Sequence, residues 1–180
     1  MKHQDSIVVK KFGGTSVGTT DRIQAVADRV VEDFNRGEKP VVVVSAMAGE
    51  TNRLVGLAEK INDDLRGAAY DMLVATGEQV SVALLTMALQ KRGVRAQGLL
   101  AFQLGIQTDS IYSKARIKAI PTDLLHKLLD ARTIPVIAGF QGVDDEDNIT
   151  TLGRGGSDTS AVAVAAALGL KSCEIYTDVE

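Results

Sequence analysis

Tryptophan is absent from the 180-residue chain, and only four Phe and three Tyr are present. That leaves no aromatic platform on which single-stranded nucleic acid could stack. A basic excess is missing too: 20 Lys and Arg stand against 23 Asp and Glu, a net charge of −3, which argues against a general binder of nucleic acid or anionic membranes. The lone cysteine, Cys173, can form no internal disulfide and suits a reducing compartment. No apolar run approaches the ~18 residues of a membrane span. Met1–Ser6 leads into too few apolar residues for a signal peptide. No His/Cys/Asp/Glu grouping has protein-only metal-ligand spacing. What is present, 45% hydrophobic and 24% charged residues, is the balance of an ordinary globule. The expectation is a soluble cytoplasmic protein of one α/β domain, or one with a small appendage.

Short apolar runs alternate with helical periodicity. Ile7–Phe12 reads as a buried strand ending at Gly13-Gly14, and Ile23, Val26, Ala27, Val30, Val31 and Phe34 mark a helix over 21–36 with Gly37 past its end. Val41–Val44 is so uniformly β-branched that it must be buried on both faces, as parallel strands are. Leu54, Leu57, Ala58, Ile61 and Leu65 predict a helix over 52–65, and Val80, Ala83, Leu84, Met87 and Ala88 another ending at Gly93. Alternation at 101–104 suggests a strand, followed by a turn at 108–110. A helix follows Pro121-Thr122, Ile134–Ala138 is a strand ending at Gly139, and 144–148 is an exposed polar turn. A glycine-rich loop at 151–156 feeds a helix over 157–168, and Glu174–Thr177 is a buried strand begun by Cys173. This order predicts a three-layer αβα sandwich around a mainly parallel sheet.

Ligands of open parallel sheets bind where loops leave the carboxyl ends of strands. Four such loops stand out: Lys11–Ser16, Ser45–Gly49, Gly153–Asp158 and Thr177-Asp178. Glycines bring backbone N–H groups close to phosphate oxygens, and a following helix N-terminus adds its dipole. No Gly-x-x-x-x-Gly-Lys-[Ser/Thr] loop occurs, and the nearest dinucleotide fingerprint, at 153–158, carries Asp158 where the third glycine belongs. Taken singly, each candidate has a plainer reading. Lys11 can be a solvated strand-end lysine, Arg154 and Asp158 a surface pair by a helix start, and Ser45 a small strand-ending residue. Glu78 can be ordinary first-turn chemistry, Thr51 a helix cap, and Thr177-Asp178 a turn. His3 and His126 read as structural or solvent-facing, and Cys173 as inert packing.

Read together, the segments point further. Val-Lys-Lys-Phe-Gly-Gly-Thr-Ser-Val (9–17) resembles the opening signature of aspartate kinases in the amino-acid kinase superfamily. So, in the family's order, do segments 43–52, 77–81, 138–143, Thr-Thr-Leu-Gly-Arg-Gly-Gly-Ser-Asp-Thr-Ser-Ala (150–161) and 175–179. The resemblance implies transfer of the ATP γ-phosphoryl group to the side-chain carboxylate of L-aspartate, with Mg²⁺ on the phosphates. It implies that Lys11 neutralises the transferring phosphoryl, with Gly13 and Gly14 giving N–H groups to it. Asp158 would orient Lys11, Arg154 would clamp the α-carboxylate as a fork, and Glu78 would take the α-amino group. Ser45, Thr51 and Ser157 would position the substrate, and Thr177 and Asp178 would begin the nucleotide site. A carboxylate nucleophile is already ionised at pH 7 and needs no general base. It needs charge cancellation and in-line positioning.

In that family the chain continues past the Thr-Asp-Val segment, through the rest of a nucleotide-binding half and C-terminal ACT-type regulatory domains, and forms homodimers. The 180 residues correspond to the N-terminal, substrate-binding part of the catalytic domain, with the αβα fold incomplete at its C-terminus. A catalytically silent substrate-binding or self-associating module is the alternative. A nicotinamide-dependent oxidoreductase is a third reading, against which the missing fingerprint counts.

Overall fold

In the computed structural model, described for residues 6–177, five parallel strands form the central sheet. Chain order begins β1 (Ile7–Phe12), α1 (Thr20–Asn35), β2 (Lys39–Val44), α2 (Glu50–Glu59), α3 (Ala68–Val74) and α4 (Thr76–Lys91). It continues β3 (Arg95–Leu99), α5 (Ala101–Leu104), β4 (Gln107–Thr108), β5 (Ile117–Ala119), α6 (Asp123–Asp130) and β6 (Thr133–Ala138). Then come β7 (Gln141–Val143), β8 (Ile149–Thr151), α7 (Gly156–Ala167) and β9 (Glu174–Tyr176). The sheet order is β3-β6-β2-β1-β9. Strands β5-β4-β7-β8 make a second, mixed sheet.

Strand alternation builds the layers. Phe12, Val42, Val44 and Val136 point into one core with α1 and α4, while Val9, Val41, Val43 and Ile137 point into the other with α5, α6 and α7. The β-branched run of β2 is thus buried on both faces, as its composition requires. The same alternation separates two adjacent lysines. Lys10 faces α1, where its ammonium meets Asp33 at 2.7 Å, Glu38 at 2.9 Å and Glu174 at 3.0 Å. Burial pulls the pKa of this amine down, but the hydrogen bonds to the three carboxylates outweigh it and the net shift is upward. Lys11 faces α7.

Several expected boundaries and faces change. The helix expected over 52–65 stops at Glu59, leaving Ile61 87% exposed; Asn62, Asp63 and Asp64 follow, which favour turns over helix. The stripe expected to bury α4 is mostly its outer side. Met87 is 63% exposed and Val80 is also exposed, while Val82, Leu85 and Leu89 carry the packing. This helix is apolar nearly all round, so periodicity could not choose its face. Across 68–91 the chain is apolar enough over 18 residues (mean hydropathy 1.5) to cross a membrane by length and composition, and half of that window is buried in the protein.

Residues 101–104 form a helical turn, not a strand. Ala101 and Leu104 are buried three apart, Gln103 accepts the Leu100 N–H through its side chain at 2.8 Å, and Gly105 ends the turn. In the expected exposed turn at 144–148, Asp144 is buried and its carboxylate accepts the N–H groups of Glu146 and Asn148. Strand β9 is an exposed edge, with Ile175 exposed and Cys173 half-buried. His126 is exposed, and His3 lies outside the described residues.

Candidate active site

The carboxyl ends of β1, β2 and β6 open on one cleft of about 360 Å³. Among the residues the sequence singled out, Lys11, Gly14, Ser45, Thr51, Glu78, Arg154, Ser157 and Asp158 line it. Lys11, the penultimate residue of β1, extends on the α7 side, and its Nζ lies 2.7 Å from Asp158 Oδ1 in the first turn of α7. A Cβ on Gly13 would come 3.3 Å from that same Nζ, so the ammonium lies over the glycine loop.

The loop closes one helical turn, with Val17 N–H donating to the Gly13 carbonyl at 3.2 Å. The N–H of Gly14 finds no acceptor among the described residues. The N–H of Gly13, expected to face a phosphoryl group, is instead donated to the Tyr176 carbonyl at 3.0 Å. The reason is that β1 keeps pairing with β9 past Phe12, so the ladder takes the first glycine and leaves the second. Thr177 does not line the cleft; its carbonyl accepts the Thr15 hydroxyl and ties the end of β9 to the loop. Asp178 lies outside the described residues.

Helices α2 and α7 both begin at the cleft, at Gly49 and Gly155, and neither start has a side-chain cap. The first N–H of each is spent on a turn, Glu50 to the Met47 carbonyl and Gly156 to the Gly153 carbonyl, both at 3.0 Å. That leaves those of Thr51, Asn52, Ser157 and Asp158 without an acceptor among the described residues, and both dipoles favour an anion there. Thr51, the candidate cap, sits inside the first turn of α2 and lines the cleft. Arg154 is exposed at the rim, and its guanidinium has no ion pair or hydrogen bond among the described residues.

Glu78 lies opposite in character. It is buried at the start of α4; Oε1 accepts the Ala46 N–H at 3.2 Å and Oε2 has no partner. Burial pushes its carboxyl up to about 8, against the smaller opposing pull of backbone hydrogen bonds at Glu78 and Ala46. A buried acid with one empty oxygen suits a ligand cation.

Phe140 also lines the cleft, and residue patterns alone gave it no role. It holds φ +72, donating its N–H to Ser160 Oγ at 3.0 Å and accepting the Leu152 N–H at 2.9 Å. The one signal was its place directly after a strand-ending glycine. That glycine, Gly139, is there for room: a Cβ would meet Ser157 Oγ at 2.7 Å and Ser157 Cα at 3.0 Å.

An uncapped pair of helix starts, a glycine loop, a lysine held by an aspartate and a guanidinium without a partner among the described residues give the cleft the character of an anion site. Residues 6–180 match the model of the amino acid kinase family, and the chain belongs to that family. Its relatives within it carry a narrower name. It is 53% identical to the aspartate kinase Ask_LysC of Stutzerimonas stutzeri and 54% identical to the aspartokinase of Pseudomonas aeruginosa. Each alignment covers 97% of this chain and 42% of the relative, so the chain spans less than half the length of these proteins. Among solved structures, aspartate kinase from Synechocystis superposes with a TM-score of 0.82 at 50% identity, over 96% of this chain and 28% of that one. Escherichia coli aspartokinase III in complex with aspartate and ADP gives 0.83 at 29% identity, over 96% and 49%.

Proposed function

We propose that this chain is the substrate-binding part of an aspartate kinase catalytic domain, which transfers the γ-phosphoryl group of ATP to the β-carboxylate of L-aspartate. The observation that carries the reading is the pairing, in one cleft, of a buried acid with an empty oxygen and an unpaired guanidinium. Those are the complements of an α-ammonium and an α-carboxylate. The ADP- and aspartate-bound relative agrees with it.

Glu78 takes the ammonium and Arg154 the α-carboxylate, leaving the β-carboxylate to point at the glycine loop. Ser45, Thr51 and Ser157 offer hydroxyls that fix its direction. One β-carboxylate oxygen then attacks the γ-phosphorus, the bond from that phosphorus to the β,γ-bridging oxygen breaks, and ADP leaves with the electron pair. No proton has to be removed from the nucleophile. The barrier is the approach of two anions, which Lys11, the Gly14 N–H and the starts of α2 and α7 lower by holding positive charge in place beforehand. Asp158, 2.7 Å from the Lys11 ammonium, holds it aimed into the cleft. Thr177 and Asp178 lead into the nucleotide site.

Among the described residues no group of three His, Cys, Asp or Glu could hold a metal ion. Mg²⁺ would arrive on the phosphate oxygens of the nucleotide. There it would supply further charge neutralisation. The product, aspartyl phosphate, is an activated acyl group of the kind that feeds lysine, threonine and methionine synthesis.

The test is L-aspartate binding by calorimetry together with aspartate-dependent ATP turnover. Lys11→Met should leave aspartate bound and lower turnover by about 10²–10³-fold, the range for losing one preorganised charge-stabilising group. Unchanged turnover in Lys11→Met would sink the mechanism. Aspartate binding without ATP binding would mark the catalytically silent module instead.

A further inference from the structure

Asp71 is the lone acid in the apolar run Ala68–Val74 of α3, and it is fully buried. Hydrogen bonds alone hold its carboxylate. Oδ2 accepts the N–H groups of Ser113 at 2.9 Å and Thr151 at 2.7 Å, and Oδ1 accepts the Ser113 hydroxyl at 3.0 Å. A carboxylate is costly to bury without a cation, so its partners indicate what it is for.

Thr151 closes β8, the outer strand of the small sheet. An edge strand leaves outward backbone groups to be satisfied. Here the Thr151 N–H goes to Asp71, and the Thr151 carbonyl accepts the Ala115 N–H at 2.9 Å. Asp71 thus fastens the strand and the loop before β5 at one point. Ser113 in that loop holds φ +65, a conformation that non-glycine residues keep only under constraint. Its carbonyl presses on Gly153, where a Cβ would come within 2.8 Å, and Gly153 itself has φ +82. The next residue is Arg154.

We propose that Asp71 is a positioning residue: by pinning Ser113 and Thr151 together it fixes the backbone from which Arg154 reaches into the cleft, and so sets affinity for the carboxylate end of the amino-acid substrate. What Arg154 grips rests on the aspartate kinase reading; the mechanical link does not. Ser113 and Thr151, with Tyr70 and Val74, also wall a cavity of about 300 Å³ that shares Arg154 and Phe140 with the cleft. Loosening this wall therefore acts on a surface that Arg154 itself helps to form.

The experiment compares Asp71→Ala and Asp71→Asn, alone and with Arg154→Ala, reading the Kd values for L-aspartate and ATP by calorimetry and amide hydrogen exchange over 149–156. An asparagine can turn its carbonyl to both N–H groups and its NH₂ to the Ser113 hydroxyl. Asp71→Asn should therefore stay within threefold of the parent in aspartate affinity. Asp71→Ala should weaken aspartate at least tenfold, leave ATP within twofold, and speed exchange over 149–156 at least tenfold with β1 and β2 unchanged. In the Arg154→Ala background it should add less than twofold.

Equal losses for aspartate and ATP would overturn the proposal, as would an additive double variant or an asparagine as damaging as alanine. Should Asp71→Ala not fold, Ser113→Ala removes only the hydroxyl bond and should still cost aspartate two- to threefold; no loss there overturns it equally. Failure of the parent to bind aspartate would refute the functional reading instead. The exchange over 149–156 then decides alone, and no acceleration in Asp71→Ala defeats the positioning role.

Discussion

Glu78→Gln separates the stability of the empty site from its affinity, with opposite signs. In the empty cleft burial raises the Glu78 carboxyl from 4.5 to about 8. At pH 7 the folded protein therefore holds this group protonated by roughly ten to one, whereas the unfolded chain holds it ionised. The folded state binds the extra proton between the two values, so stability falls as pH rises from about 4.5 to about 8. Relative to acid conditions, the loss at pH 7 is about 3 kcal/mol. Glutamine keeps the shape and the neutral state, so Glu78→Gln should match the parent near pH 4.5 and exceed its Tm by roughly 10 °C at pH 7.

Binding runs the other way. A ligand ammonium beside the empty oxygen restores the ionised form, so each L-aspartate bound at pH 7 should release nearly one proton. Its affinity should climb up to about tenfold from pH 6 to pH 7. Calorimetry at one pH in buffers of different ionisation enthalpy counts that proton directly. Glu78→Gln should abolish the release and weaken aspartate strongly. Zero proton release by the parent, with Tm differences that do not grow with pH, would refute both the burial argument and the ammonium assignment.

Leu85→Ala should cost about 2–5 kcal/mol in urea unfolding, the range for a fully buried leucine, while Met87→Ala on the outer face of α4 should stay within about 0.5 kcal/mol. Gly139→Ala should cost about 1–3 kcal/mol, because its Cβ meets the Ser157 backbone and cannot be relieved by a rotamer change; an unchanged urea midpoint would show that α7 yields. Lys10→Met should cost about 3 kcal/mol, near the low end for orphaning a buried partner, since Arg36 still holds Asp33. Its exchange signature should be a loosened β9.

The parallel core and the cleft were legible because each rests on a local pattern. A β-branched run can only be a doubly covered strand, and glycines after strands can only be loops at the carboxyl edge. Lys11 and Ser45 come together because parallel topology puts the loops after β1 and β2 at the same end, whereas Glu78 arrives on the start of α4 and Arg154 and Asp158 on the loop that leaves β8 of the mixed sheet. What stayed hidden lacks a local signature. Strands β7 and β8 have three residues each, too few for a period to register. The buried side of α4 was invisible because both sides are apolar. Helix α3 escaped because seven residues between glycine and another helix show barely two turns. With it went Asp71, whose partners lie 42 and 80 residues away.

Lys10 and Lys11 show why register decides function in this fold. They are neighbours of one residue type in one strand, yet one closes a buried cluster on α1 and the other reaches the cleft. Only the alternation of a strand separates them, and the burial of Val9 on one face and Phe12 on the other fixes that alternation. A slip by one residue would bury Phe12 against α7 and turn Lys11 towards Asp33. The hydrophobic pattern of β1 therefore selects the lysine that meets substrate, and Lys10, paired with three carboxylates, reinforces the choice. The same arrangement accounts for an anion site on a chain of net charge −3. The acids that outnumber the cations include Asp33, Glu38 and Glu174, gathered around Lys10 on the α1 side of the sheet, while Lys11, Arg154 and the starts of α2 and α7 meet at the cleft, where Asp158 is paired with Lys11 and Glu50 with Arg53.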